Sequence, residues 1–176
     1  LYPFLRRFFT SIKIYFISMG MAIAGYISLL VLASTSMNNV FLLFIPGFFI
    51  FAANGMLAVI TTVFLANTVD YGELKNFRRD ESVIFSMQTF VVKLASGISG
   101  FMSSMVLAIF SINPDKEATV VKAISDSQRF GLRFTMTLIP ITVLAIGAVV
   151  FKKRYVLFDS KMNEITEEIE SRKASA

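Results

Sequence analysis

The sequence predicts an all-α integral membrane protein with four transmembrane helices. Three observations carry that prediction. Hydrophobic residues make up 55% of the 176-residue chain, and its mean hydropathy is +0.68. Charged residues amount to only 16%, against about 25% in soluble domains. The charges are also clumped, at residues 6–13, 70–81, 115–129 and 152–173, with near-uncharged runs at 14–66, 82–111 and 130–151 between them. A soluble core of this size would be built from elements with a polar face, and these runs lack one.

Taken in order, residues 1–13 read as a cytoplasmic loop, LYPFLRRFFTSIK, leading straight into a span. A spanning helix needs about 20 apolar residues at a rise of ~1.5 Å each. The run 14–33 meets this once, STSMNN at 34–39 makes a turn, and 40–66 meets it again with surplus length that implies tilt. A third span is expected at 82–111 and a fourth at 130–151, so the transmembrane region covers 14–151. These runs are too long and too uniformly apolar for strands. They hold Gly20, Gly25, Pro46, Gly47, Gly55, Pro140 and Gly147, residues that membrane helices accept more readily than soluble ones. The polar tail at 152–176 is expected in the cytoplasm. Its Met162, Ile165 and Ile169 recur at helical spacing, which predicts a short amphipathic helix, solvated or lying on a surface rather than docked. The chain starts in mid-loop without Met, as a piece of a longer polypeptide would.

Orientation follows from the loops. Arg6, Arg7 and Lys13 precede the first span, while the turn after it has no charge. Lys75, Arg78 and Arg79 lie between spans two and three, and Lys152, Lys153 and Arg154 follow span four. The segment INPDKEATVVKAISDSQR, after span three, mixes acids and bases. The positive-inside rule then puts both ends of the chain and the 67–81 loop in the cytoplasm of a multi-pass plasma-membrane protein.

Composition excludes several functions. With Cys 0 and His 0 there is no disulfide framework, thiolate chemistry or His-based catalytic arrangement. No enzyme activity, metal site or cofactor is expected. The net charge of +5 abuts the spans, so it orients helices rather than binding nucleic acid.

One charge stands apart. Lys93 lies eleven residues into the third expected span, about 16 Å from its cytoplasmic end at ~1.5 Å per residue. That is too deep to snorkel, and facing lipid would cost roughly 2.5–3.5 kcal/mol. Gln88, Thr89, Val92 and Lys93 form one helical stripe, continued by Ser96, Gly97 and Gly100. The stripe offers polar groups upstream and small residues downstream, where another helix can come close. Such a face suits a hydroxyl-rich ligand at half depth. The competing reading pairs Lys93 with a carboxylate on a neighbouring helix, yet the four spans contain none at comparable depth.

The continuous stretch NTVDYGELKNFRRDESVIFSMQTFVVKLASG resembles the sodium- or proton-coupled glycoside–pentoside–hexuronide:cation symporters, the melibiose permease-like branch of the major facilitator superfamily. The likeness rests on D-Y-G-E at 70–73, Arg79 followed by Glu81, and Q-T-x-V-V-K at 88–93. It implies a twelve-helix fold in two halves, of which this chain resembles helices 9–12, the C-terminal portion. It also implies that Lys93, Gln88, Thr89 and Val92 line a sugar site. The coupling cation, Na⁺ or H⁺, would then be held mainly by carboxylates of an N-terminal half that is missing here, and the partners would be a sugar or glycoside, the lipid bilayer and the remaining helices. Asp70, Tyr71, Gly72 and Arg79 would form a cytoplasmic gate, with Tyr71 and Gly72 shaping a helix end. Two departures stand out. Many relatives carry Asp where this chain has Asn67, which removes one gate charge. Ala58 stands where a pocket tryptophan would be, so a galactoside preference does not carry over. The expected function is part of a sugar:cation symporter; the alternative is a transporter-derived sensor or scaffold without transport.

Overall fold

A computed structural model describes residues 9–35, 40–110 and 125–174. It contains five α-helices among the described residues: α1 (Ser11–Thr35), α2 (Phe44–Asn76), α3 (Glu81–Ile109), α4 (Asp126–Arg154) and α5 (Asp159–Ala174). A short 3₁₀ turn, Val40–Leu43, leads into α2. The first four helices are long and apolar enough to cross a membrane, and no described residue is in a strand. The fold is an all-α membrane fold. Arg6 and Arg7, residues 36–39 of the expected turn, and the 111–124 part of the segment after span three lie outside the described residues.

The buried positions of α1 explain why it sits at the centre. Ser11, Ile14, Tyr15, Ser18, Met19, Ala22 and Gly25 fall at spacings of three and four, on one face rich in small residues. Small residues let helix backbones approach, which is what drives association where lipid removes the hydrophobic incentive. At Gly25 a Cβ would come within 2.8 Å of Ile50 Cγ1 and 3.2 Å of the Ile50 nitrogen. Only glycine admits α2 that closely. On its other side α1 meets α4, where Met19 Cε would lie 3.7 Å from a Cβ on Gly147.

At one end of the bundle these three helices are locked by rings. Tyr15 of α1 stacks on Phe151 of α4 at 4.1 Å, and Phe64 of α2 meets Phe151 at 5.1 Å. Tyr155 then covers Phe151 and Phe64 at 4.5 and 4.8 Å. Each such pair adds about 0.5–1.5 kcal/mol beyond its buried area. Buried Ile60 and Phe64 belong to the same cluster.

Two features differ from the sequence reading. The 67–76 stretch is helix rather than loop, so α2 carries Asp70, Tyr71 and Gly72 within it. The chain turns at Phe77, whose φ of 56° puts the left-handed cap there, and no described glycine has positive φ. Gly72 therefore does not shape the helix end. The tail also docks. Leu157, Met162 and Ile165 are buried against Tyr71 and Leu74, giving the polar end of α2 an apolar partner that keeps it helical. Asp159 Oδ2 accepts the Ser11 N–H at 3.1 Å, and Arg172 Nη1 donates to the Leu74 carbonyl at 3.1 Å with its guanidinium 4.9 Å from the Phe77 ring. The start of α1, the end of α2 and α5 thus share one end of the bundle. Burial among these groups pushes the Tyr155 phenol above its ordinary pKa.

Candidate functional site

The polar stripe lies on α3, the least covered helix. Gln88 is half-buried, while Thr89, Val92 and Lys93 are exposed, as is every residue from 91 to 100. Within α3, Val106 is buried among the described residues. Apart from half-buried Gln88, the α1, α2 and α4 helices therefore leave the stripe open, and its four residues stand together on one face. Neither the Gln88 nor the Lys93 side chain forms a hydrogen bond among the described residues. Thr89 Oγ1 donates to the Phe85 carbonyl at 3.0 Å and Ser96 Oγ to the Val92 carbonyl at 3.0 Å. Their protons are thus committed to the helix, and toward a ligand these hydroxyls offer lone pairs. The stripe combines an ammonium donor, a carboxamide of both kinds and hydroxyl acceptors.

The carboxylates that could answer Lys93 are elsewhere. In the described part of the four long helices, Asp70, Glu73, Glu81 and Asp126 sit near helix ends, away from the half-depth of Lys93. The first three converge on one guanidinium. Arg79 Nη1 reaches Asp70 Oδ1 at 3.1 Å and Glu73 Oε2 at 2.7 Å, and its Nε reaches Glu81 Oε2 at 3.2 Å. This fork joins the last two turns of α2 to the first turn of α3. Its hydrogen bonds, to Glu73 first, raise the Arg79 pKa, so it stays charged at every working pH. Beside it Arg78 Nε pairs with Asp80 Oδ1 at 2.8 Å. Of the four expected gate residues, Asp70 and Arg79 meet in this cluster. Tyr71 packs toward α5 instead, and Gly72 has open space around it.

Three participants stand outside the expected site residues. Glu73 lay inside the quoted D-Y-G-E motif and Glu81 beside Arg79, so their charges were visible; their convergence was not. Arg133, a lone cation in the fourth apolar run, donates through Nη1 to the Ala33 carbonyl at 2.7 Å. That carbonyl belongs to the last turn of α1, where a cation also meets the negative end of the helix dipole. Its charge amid apolar residues was the available signal.

A membrane-spanning helical assembly, with a polar helix face at half depth and an ion-pair cluster at one end, has the parts of a membrane carrier. The family model described as "MFS/sugar transport protein" matches residues 1–158. The chain belongs to that family. Among curated relatives it is 22% identical over 170 residues to a lactose permease of Lactobacillus delbrueckii subsp. bulgaricus, covering 97% of this chain and 26% of the relative. It is 31% identical over 107 residues to a putative sulfoquinovose importer of Escherichia coli (strain K12), covering 61% and 22%. A raffinose carrier protein of Pediococcus pentosaceus is 26% identical over 115 residues, covering 65% and 18%. The chain spans about a quarter of the length of the curated relatives it matches.

Proposed function

We propose that these helices form the C-terminal part of a sugar:cation symporter that takes up a glycoside, pentoside or hexuronide by alternating access. The observation that carries this reading is Lys93, which stands exposed on α3 at half depth without a carboxylate near its level among the described residues. An ammonium in that place needs water, a ligand or a counter-charge from other helices, and a carrier's central cavity supplies all three. The names of the relatives support a sugar as the cargo.

In this reading Lys93 donates hydrogen bonds and charge to the bound sugar, the Gln88 carboxamide spans two hydroxyls, Thr89 accepts from a third, and Val92 covers a C–H face. The coupling ion, Na⁺ or H⁺, is held mainly by carboxylates outside this chain. Accumulation then requires that sugar and ion together stabilise one of the inward- and outward-open states more than the other. The Arg79 end faces the cytoplasm, and the cluster there acts as a gate. Exposed pairs are weak, so these groups can form ion pairs with the other half when the cytoplasmic side is shut and part from them when it opens. The protein sits in the plasma membrane with residues 1–13 and 152–176 cytoplasmic. Asn67 lends no weight to a sensor or scaffold, because Arg79 keeps three carboxylates without a fourth.

The test is Lys93→Val in the transporter containing these helices. Coupled accumulation of sugar is expected to fall to background while the protein still inserts in the membrane; retained accumulation would remove Lys93 from the mechanism. Four helices cannot enclose a pathway between two halves, so vesicles holding these 176 residues alone are expected to take up nothing.

A further inference from the structure

The α3 helix is tied to its neighbours at its two ends, and the two ties differ in kind. At the Arg79 end the link is a set of exposed ion pairs. At the opposite end it is a fitted joint. Gln128 Oε1 accepts the Ser125 N–H at 3.0 Å, while its Nε2 donates to the Phe110 carbonyl at 2.9 Å. One carboxamide thus caps the start of α4 and answers a carbonyl at the end of α3, two groups that helix termini otherwise leave unpaired. The Phe110 ring lies directly over Gly131, where any Cβ would overlap it. Val106, one turn back on α3, is buried at the same place. Beyond the joint the helices part, and a cavity of about 540 Å³ opens between Ala95, Ser99 and Met102 on one side and Thr135, Ile139 and Pro140 on the other.

We propose that Gln128, with Phe110 and Gly131, is the joint that sets the angle of α3 and thereby positions Lys93. Seventeen residues separate Lys93 from Phe110, a lever of about 26 Å at ~1.5 Å per residue. A rotation of about 10° at the joint carries the Lys93 backbone about 4–5 Å over that lever, well outside the tolerance of a hydrogen bond. Exposed ion pairs at the far end are too weak to hold the angle by themselves. Gln128 is a positioning residue: it acts on the ligand face only through the helix it holds. The consequence for Lys93 rests on the symporter reading above; the joint does not.

The chain contains no cysteine, so spin labels can be placed without background. Nitroxides on Ser86→Cys and Val149→Cys, both at exposed positions, read the spacing of α3 and α4 away from the joint, in the full chain in lipid vesicles. Gln128→Ala and Gly131→Ala are expected to shift or broaden that distance distribution by about 6 Å, from an arm of about 36 Å between Ser86 and Phe110. Gln128→Glu keeps an acceptor for the Ser125 N–H but loses the donor to Phe110, and is expected to behave like Gln128→Ala. An unchanged distribution in all three variants overturns the proposal. So does restoration of the parent distances by Gln128→Glu, which would reduce Gln128 to a helix cap. The distances read the joint alone, and the sugar reading is tested separately by accumulation in Lys93→Val of the transporter containing these helices. Shifted distances with accumulation retained in Lys93→Val support the joint and count against the sugar reading; unchanged distances overturn the joint whatever the accumulation.

Discussion

Two regions of this molecule are built to opposite rules. The α1, α2 and α4 helices interlock through glycine and alanine faces and a shared group of aromatic rings, with α5 strapped across one end. The α3 helix is fastened at its ends and open along its length. The polar stripe lies on the open helix, while the close-packed trio carries Arg133 on a backbone carbonyl and serine and threonine hydroxyls turned back to their own helices. The contrast teaches a division of labour: three helices supply a rigid frame, and the fourth presents chemistry to whatever fills the space beside it.

That contrast can be broken by paired substitutions. The largest effect is expected from Phe64→Ala, which removes the ring shared by α1, α2 and α4. Loss of a buried Phe costs about 3–5 kcal/mol, whereas Phe90→Ala on α3, where the residue is 61% exposed, is expected to change stability by less than about 0.5 kcal/mol. Unfolding of the helical signal in mixed micelles measures both. Equal losses would mean that α3 is packed as tightly as the frame. A smaller difference is expected between two glycines. Gly25→Val forces α2 away from α1 at a cost of about 1–3 kcal/mol, while Gly97→Ala, with no atom within 4 Å of the new Cβ, is expected to be neutral or stabilising through helix propensity. The smallest effect belongs to the ion pairs. Arg79→Gln is expected to leave stability almost unchanged, because exposed ion pairs contribute little, yet to increase labelling of Ser82→Cys by a water-soluble thiol reagent, since the tie between α2 and α3 is lost. Unchanged labelling would deny the cluster a gating role.

Much of the fold could be read from the chain because membrane helices announce themselves as long uncharged runs. The bounds that were missed share one cause. NTVDYGELKN has no apolar run, yet it remains helical because Val69 is buried and Tyr71 and Leu74 meet the tail. Docking of Met162 and Ile165 was equally invisible, since their spacing reveals an apolar face but not its partner. The site divides the same way. Lys93, Gln88 and Thr89 were visible as polar residues in an apolar run, and Ser125 with Gln128 carries the S-x-x-Q spacing of a helix start. That Gln128 also reaches Phe110, and that three carboxylates meet at Arg79, depends on contacts between helices that no local pattern encodes.

The account turns on what surrounds the Lys93 side chain, and a nitroxide on Lys93→Cys in the complete transporter, within its membrane, asks that directly. Collisions with a water-soluble nickel complex are expected to exceed those with dissolved oxygen at this position and to fall when a transported sugar is added. Oxygen collisions dominating with and without sugar, as at a lipid-facing site, would contradict the account.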